Sequence, residues 1–130
     1  MIEEYDPLKA PDPEQWLETD EDERSYFIRV YHENAGVELA SVAMLTHVAL
    51  HTVVENQIAM AEETNVPETL QRLMDEGLDR HQALHAIGTV LIERMHDAVR
   101  GDGGKESLIK DYYRKLDELT AEKWRRMGDI

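Results

Sequence analysis

The sequence contains no cysteine, which excludes disulfides, thiolate zinc sites and cysteine nucleophiles. Aromatic residues are scarce, at 6% of the 130 residues, and there are only seven glycines and four prolines. Basic residues are in deficit, with 14 Lys and Arg against 28 Asp and Glu, so the formal net charge is -14. Because clustered Lys and Arg supply most of the affinity for a phosphate backbone, this balance predicts no nucleic-acid partner.

Long apolar runs are missing as well. No stretch approaches the ~20 apolar residues that span a bilayer, and the opening MIEEYDPLK lacks the charge and apolar core of a signal peptide. The sequence therefore predicts no membrane segment and a cytoplasmic location. Its length fits a single domain over residues 1–130, and the 42% apolar content, spread in periodic stretches, distinguishes it from a disordered acidic tail.

The remaining pattern is helical, because apolar residues recur at three- and four-residue steps and no stretch alternates as a strand would. A first segment from Pro13 to Gly36 forms either one kinked helix or two, with Thr19 as a cap. Further helices are predicted over 38–61, 67–76, 80–100 and 106–127. We expect an all-α fold, an irregular bundle of four long helices and one short helix. Residues 1–12 are expected to be extended or poorly ordered, and 101–104 to form a flexible linker.

Histidines are concentrated on two of the predicted helices. His47, His51 and Glu55 follow each other at four-residue spacing, which places them on one stripe that faces the core. His81 and His85 repeat the spacing on the later helix. His32, by contrast, is expected at the surface or at a helix end.

Two such pairs on neighbouring helices would bring several imidazoles to one point. Two interpretations are open: a hydrogen-bond network that fixes helix register, or a transition-metal site for an ion such as Zn or Fe. The absence of HExxH removes the general-base glutamate of common zinc proteases. Glu93 and His96 have the ExxH spacing of di-iron bundles, but the sequence offers too few inward glutamates for such a site. The candidate site consists of His47, His51, Glu55, His81 and His85.

These features favour a small binding or interaction protein rather than an enzyme. The alternative is a metal-dependent enzyme, a hydrolase or an oxygen-handling protein, that uses the histidine cluster. A third hypothesis is an acidic adaptor for a basic protein partner, because Met1–Arg24 holds ten acidic and two basic residues. The last helix, set apart by the glycine-rich linker, is a candidate contact for a homo-oligomer.

The stretches HVALHTVVENQIAM and ETLQRLMDEGLDRHQALHAIGTVLIERM resemble a family of small, uncharacterised bacterial helical proteins. The resemblance covers residues 13–99. It implies an all-helical fold in which the His-Glu-Asn stretch and the Arg-His-His stretch are paired. The family is a domain of unknown function, so the resemblance implies no reaction.

Overall fold

The computed structural model describes residues 1–101 and 104–129, and within these ranges all regular secondary structure is helical, without strands. The predicted all-α class is confirmed, but the division into four long helices and one short helix is not, because the described residues form seven helices. These are α1 (Pro13–Glu18), α2 (Glu21–Asn34), α3 (Ser41–Ala59), α4 (Val66–Asp75), α5 (Arg80–Arg100), α6 (Lys105–Glu118) and α7 (Ala121–Met127).

The first helical segment is two helices rather than one, separated at Thr19 and Asp20. The prediction that Thr19 caps the second helix is wrong, because Asp20 occupies the N-cap position of α2. The Thr19 hydroxyl instead donates to the carbonyl of Gln15 at 2.8 Å and accepts from the amide of Ile2 at 3.0 Å. Thr19 therefore ties the N-terminal segment to α1.

The last predicted helix is also divided, into α6 and α7. Arg72 on α4 donates to the carbonyls of Leu116 and Leu119, two of the groups that a helix C-terminus leaves without a partner. The Thr120 hydroxyl then accepts from the amide of Lys123 and starts α7. The break is thus stabilised by a side chain from another helix, which helix periodicity alone does not reveal.

The boundaries of α5 follow from local sequence. Asp79 and Gln82 form a capping box, in which each side chain accepts from the backbone amide of the other residue. Gly101 ends the helix with φ 76°, a left-handed conformation that glycine adopts without a Cβ penalty. Asp102 and Gly103, in the middle of the predicted linker, lie outside the described residues.

Two apolar clusters fill the interior. The larger one joins α4–α7 to the inner face of α3. The smaller one joins the N-terminal segment to α1–α3 and contains Tyr5, Trp16 and Ile28. The segment 1–12 has no helix, yet Tyr5 and Pro7 within it are buried. None of the helices in the described part of the chain is both long and apolar enough to cross a membrane.

Arg72 offers a test of the α6–α7 break. We expect Arg72→Met to lower the free energy of unfolding by about 2 kcal/mol, because two carbonyl groups lose a charged donor. Arg126→Met is the matched control, since Arg126 and Glu122 form only an exposed pair on α7, and it should change stability by less than about 0.5 kcal/mol. Urea denaturation measures both, and equal stabilities for the two variants would contradict this role of Arg72.

Candidate metal centre

Four imidazoles from three helices converge where α2, α3 and α5 meet. One ring nitrogen from each of His32, His51, His81 and His85 lies within 4.8 Å of the other three. The ring centroids of His81 and His85 are 4.4 Å apart, and those of His51 and His85 are 4.9 Å apart. His32 and His51 are buried, and the two α5 histidines are partly buried. Within the part of the chain that the structure describes, this buried histidine cluster has the spacing of metal ligands.

The structure brings three of the predicted residues, His51, His81 and His85, into this group. His47 lies beside it, with its Nε2 atom 3.0 Å from Nε2 of His32, but is not one of the four converging ligands. The Glu55 carboxylate accepts hydrogen bonds from Tyr5 and Arg80, and the Tyr5 hydroxyl links Glu55 to His51.

The sequence predicts His32 at the surface or at a helix end; the helix end is confirmed, but the surface position is wrong, because its side chain is only 1% exposed. His32 occupies the last turn of α2, and α2 packs on α3. It lies four residues after Ile28, which is fully buried, so both side chains share the inner face of α2. That spacing was the sequence signal for His32.

Hydrogen bonds fix the position of the proton on His32. Its Nδ1 atom lies 2.8 Å from the carbonyl oxygen of Ile28, and a carbonyl can only accept. Nδ1 therefore carries the proton, and Nε2 of neutral His32 carries a lone pair. In the metal-free protein the Nε2–H of His47 can donate to that lone pair. A metal ion bound by His32 would replace this hydrogen bond.

The same reasoning leads to a conflict between His51 and His85. Nδ1 of His85 is within 3.0 Å of the carboxylate of Asp129 and must donate to it. The Tyr5 hydroxyl donates to Glu55 at 2.7 Å, so its oxygen accepts from Nδ1 of His51 at 3.2 Å. Both Nε2 atoms then carry lone pairs, yet they face each other at 2.9 Å. Only a cation, either a proton or a metal ion, makes this contact favourable.

His81 adds a further nitrogen without a hydrogen bond. Its Nε2 atom is buried and lacks a partner among the described residues. A buried polar atom without a partner costs about 1–3 kcal/mol, so such atoms in a native protein call for an explanation. Coordination to an ion shared with His51 and His85 would supply one.

A buried ion pair supports the cluster from one side. Arg80 on α5 donates to both carboxylate oxygens of Glu55 on α3, at 2.7 and 2.9 Å, and also to the carbonyl of Pro7 at 3.0 Å. Although burial lowers the pKa of Arg80, its bonds to Glu55 raise that pKa above the ordinary value. Burial, followed by the charge of Glu55, raises the pKa of Tyr5, so its hydroxyl remains a donor.

The ExxH pair of Glu93 and His96 is separate from the cluster. His96 is exposed, and neither residue contributes to the converging group. The described residues therefore give no support to a carboxylate-bridged di-iron site.

Burial keeps His32, His47, His51 and His81 neutral at pH 7. It lowers the pKa of His47 and of His81 to about 4, with repulsion from His85 as the next cause in each case. The same two causes lower the pKa of His51 well below its usual range, and burial also lowers that of His32. At pH 7 their ring lone pairs are therefore free of protons.

These lowered pKa values predict an acid-sensitive fold. Between pH 6.5 and about 4, these histidines bind protons in the unfolded chain but stay unprotonated in the folded protein. The free energy of unfolding of the metal-free protein therefore decreases as the pH falls. Each proton taken up on unfolding contributes about 1.4 kcal/mol per pH unit. Denaturation in EDTA measures the slope of the free energy of unfolding against pH. The range from pH 7 to pH 5 is chosen because ordinary carboxylates titrate at lower pH.

We expect His51→Gln to have a shallower slope than wild type. His96→Gln is the control, because its exposed ring lies outside the cluster, and its slope should match wild type. A stability that is constant from pH 7 to pH 5 in the wild type would contradict the neutral cluster.

No known protein family, curated protein or solved structure matches this chain, and the resemblance to small uncharacterised bacterial helical proteins stays a prediction.

Proposed function

We propose that the protein binds one divalent transition-metal ion, preferably Zn²⁺, through a ring nitrogen of each of four histidines: His32, His51, His81 and His85. The observation that carries the proposal is the convergence of these nitrogens with the lone pairs of His51 and His85 facing each other at 2.9 Å. Neutral imidazole is a preferred ligand of zinc and also suits copper, nickel and iron.

The spacing of the nitrogens supports a tetrahedral ion. Zinc–nitrogen bonds of about 2.0–2.1 Å place the four ligand atoms about 3.3 Å apart. The cluster nitrogens lie within 4.8 Å of one another, so each has to move inward by no more than about 1 Å. Small side-chain rotations are sufficient for such a movement, and the backbone of the three helices can stay in place.

The neighbours of the ligands support the same role. Metal-bound histidines generally donate their second N–H to a carbonyl or a carboxylate, which fixes the tautomer and turns the lone pair toward the metal. His32 donates to the carbonyl of Ile28, and His85 donates to the carboxylate of Asp129. His51 contacts Tyr5, whose hydroxyl is held by Glu55. In this proposal Glu55 orients a ligand through Tyr5.

Four imidazoles fill the coordination positions of tetrahedral zinc, which is typical of structural or storage sites. The ion would link α2, α3 and α5, and its binding free energy would then stabilise the fold. The proposed function is therefore that of a small metal-binding protein, in which metal occupancy controls the stability of the bundle.

Metal analysis tests this proposal. Untagged protein purified from zinc-replete medium should contain about one equivalent of Zn²⁺, and His85→Gln and His81→Gln should each lose most of it. At free Zn²⁺ about 100-fold above the dissociation constant, the wild type should gain about 2.7 kcal/mol of stability, a rise in Tm of roughly 10 °C.

The matched control is His96→Gln, which removes a histidine from the same helix without touching the cluster. It should keep the wild-type stoichiometry and the wild-type rise in Tm. The proposal would be overturned if the wild type contained well under one equivalent of metal and added Zn²⁺, Ni²⁺, Cu²⁺ or Fe²⁺ did not stabilise it. The cluster would then be a hydrogen-bond network.

A second candidate function, a metal-dependent enzyme, is favoured by a cavity of about 430 Å³ that we name the His47 cavity. Its lining includes His47 and Asp129, both in contact with the cluster, together with Thr46, Glu93 and His96. A ligand in this cavity would contact the imidazole of His47, which lies between the cavity and the proposed metal site. That arrangement offers a proton acceptor beside a Lewis acid, as a hydrolase needs.

Cobalt distinguishes the two functions, because the visible spectrum of Co²⁺ reports its coordination. The proposed closed site predicts that azide and free imidazole leave the spectrum of the Co²⁺-loaded protein unchanged. A saturable spectral change that Thr46→Trp abolishes by filling the His47 cavity would favour the enzyme instead.

A further inference from the structure

The end of α7 and the residues that follow it form one wall of the His47 cavity. Met127, Gly128 and Asp129 line this cavity together with His47 of α3. Met127 is 45% exposed and the Asp129 side chain is 51% exposed, so this wall has solvent on its outer side. We name residues 127–129 the latch segment, because they lie between the cavity and the solvent.

The two halves of α7 are attached to the protein in different ways. Ala121 and Trp124, in the first half, are buried in the larger apolar cluster, and the amide of Ala121 donates to the carboxylate of Glu76 on α4 at 2.8 Å. Residues 125–129 are all exposed. Asp129 joins this exposed turn to α5, because its carboxylate accepts from Nδ1 of His85 at 3.0 Å. The latch segment can therefore open locally while the first half of α7 stays in place.

Gly128 turns the chain from α7 toward His85. Its backbone has φ 87° and ψ 161°, a combination that residues with a Cβ rarely adopt. Its amide donates to the carbonyl of Trp124 at 3.2 Å, which closes the last turn of α7. A Cβ added at this position would meet no atom within 4 Å. The position therefore favours glycine because of the backbone conformation and not because of limited space.

We propose that metal binding controls the latch segment. An ion bound to His85 strengthens the hydrogen bond from the same ring to Asp129 and so holds the segment closed over the His47 cavity, and loss of the ion releases it. This inference rests on the proposed zinc site. Nε2 of His85 faces His51 and would hold the ion, while Nδ1, on the other side of the ring, stays bonded to Asp129.

Charge is the physical reason for this control. Without a metal, a neutral imidazole donates to a half-exposed carboxylate, and water can replace such a contact. Closure also places the Asp129 carboxylate at a cavity that Glu93 lines, in a chain of net charge -14, so like charges oppose it. A divalent ion on Nε2 of His85 makes the Nδ1–H a stronger donor and attracts the carboxylate. The hydrogen bond is therefore stronger in the metal-loaded protein.

Coupling between the ion and the latch segment acts in both directions. If zinc favours the closed segment by some factor, the closed segment raises the affinity for zinc by the same factor. Loss of the partner of a metal-bound histidine weakens metal binding about 10- to 100-fold, so zinc should disfavour opening by a factor in the same range. Opening would expose the amide of Gly128, which is bonded to Trp124 in the closed segment. Its hydrogen exchange therefore reports the state of the latch segment.

Zinc titration against a competing chelator and amide hydrogen exchange, both on the full untagged chain, test the latch. Zinc should slow exchange at residues 127 and 128 of the wild type by about 10-fold or more. Asp129→Asn should weaken zinc binding by about 10-fold or more and abolish this effect of zinc on exchange, because the charge that responds to the ion is gone. Glu122→Gln is the matched control, because it removes one negative charge from α7 at an exposed pair with Arg126, and it should behave as the wild type.

Gly128→Ala tests the latch segment without a change of charge. The closed backbone is strained for alanine, so zinc binding should weaken roughly 5-fold or more. Gly101→Ala is the control: Gly101 also has a positive φ and open space around it, but it lies at the far end of α5 from His85. This variant should keep the wild-type affinity for zinc.

Circular dichroism checks that each variant is folded. A wild type that binds zinc while exchange at residues 127 and 128 stays unchanged would overturn the latch and leave the metal site in place, whereas a wild type that binds no zinc would overturn both. A carboxylate that only stabilises α7 would protect these amides equally with and without zinc. Equal loss of zinc affinity in Asp129→Asn and Glu122→Gln would overturn the assignment to Asp129.

Discussion

The buried ion pair between Arg80 and Glu55 is the constraint on which the site depends. Its two parallel hydrogen bonds fix the register of α3 against α5, which places His51 opposite His85 one turn further along the antiparallel helices. Arg80 also holds the carbonyl of Pro7, and Glu55 holds the hydroxyl of Tyr5. The cost of taking both charges out of water offsets much of their attraction, so the pair acts here by specifying one arrangement of the helices more than by adding net stability.

Given that register, the ability of the cluster to bind a cation depends on which imidazole nitrogens carry a proton. A carbonyl, a carboxylate and a tyrosine oxygen each take an N–H from an imidazole on the outside of the cluster, which turns the lone pairs inward. Burial lowers the pKa of His51 and disfavours a proton as the shared cation. A divalent metal ion is the alternative that would satisfy several nitrogens at once, and the carboxylate of Asp129, which contacts His85, would offset part of its charge. These contacts support the proposed metal site over a purely structural network.

Sequence periodicity predicted the local part of this arrangement and missed the long-range part. The histidine pairs on α3 and α5 were identified because four-residue spacing is a property of one helix. His32 carries the same signal relative to Ile28, but its position at a helix end does not show by itself whether its side chain faces the core or the solvent. Tyr5 and Asp129 meet their histidines across 46 and 44 residues, and no local pattern encodes such contacts. The break between α6 and α7 likewise depends on Arg72, which lies on another helix.

X-ray absorption at the zinc edge, on untagged protein loaded with one equivalent of Zn²⁺, tests the central claim most directly. A tetrahedral histidine site predicts four nitrogen scatterers at about 2.0–2.1 Å, with the outer-shell signature of imidazole rings. Six oxygen-rich neighbours at longer distance, or a spectrum that stays unchanged when His51 and His85 are replaced, would contradict it.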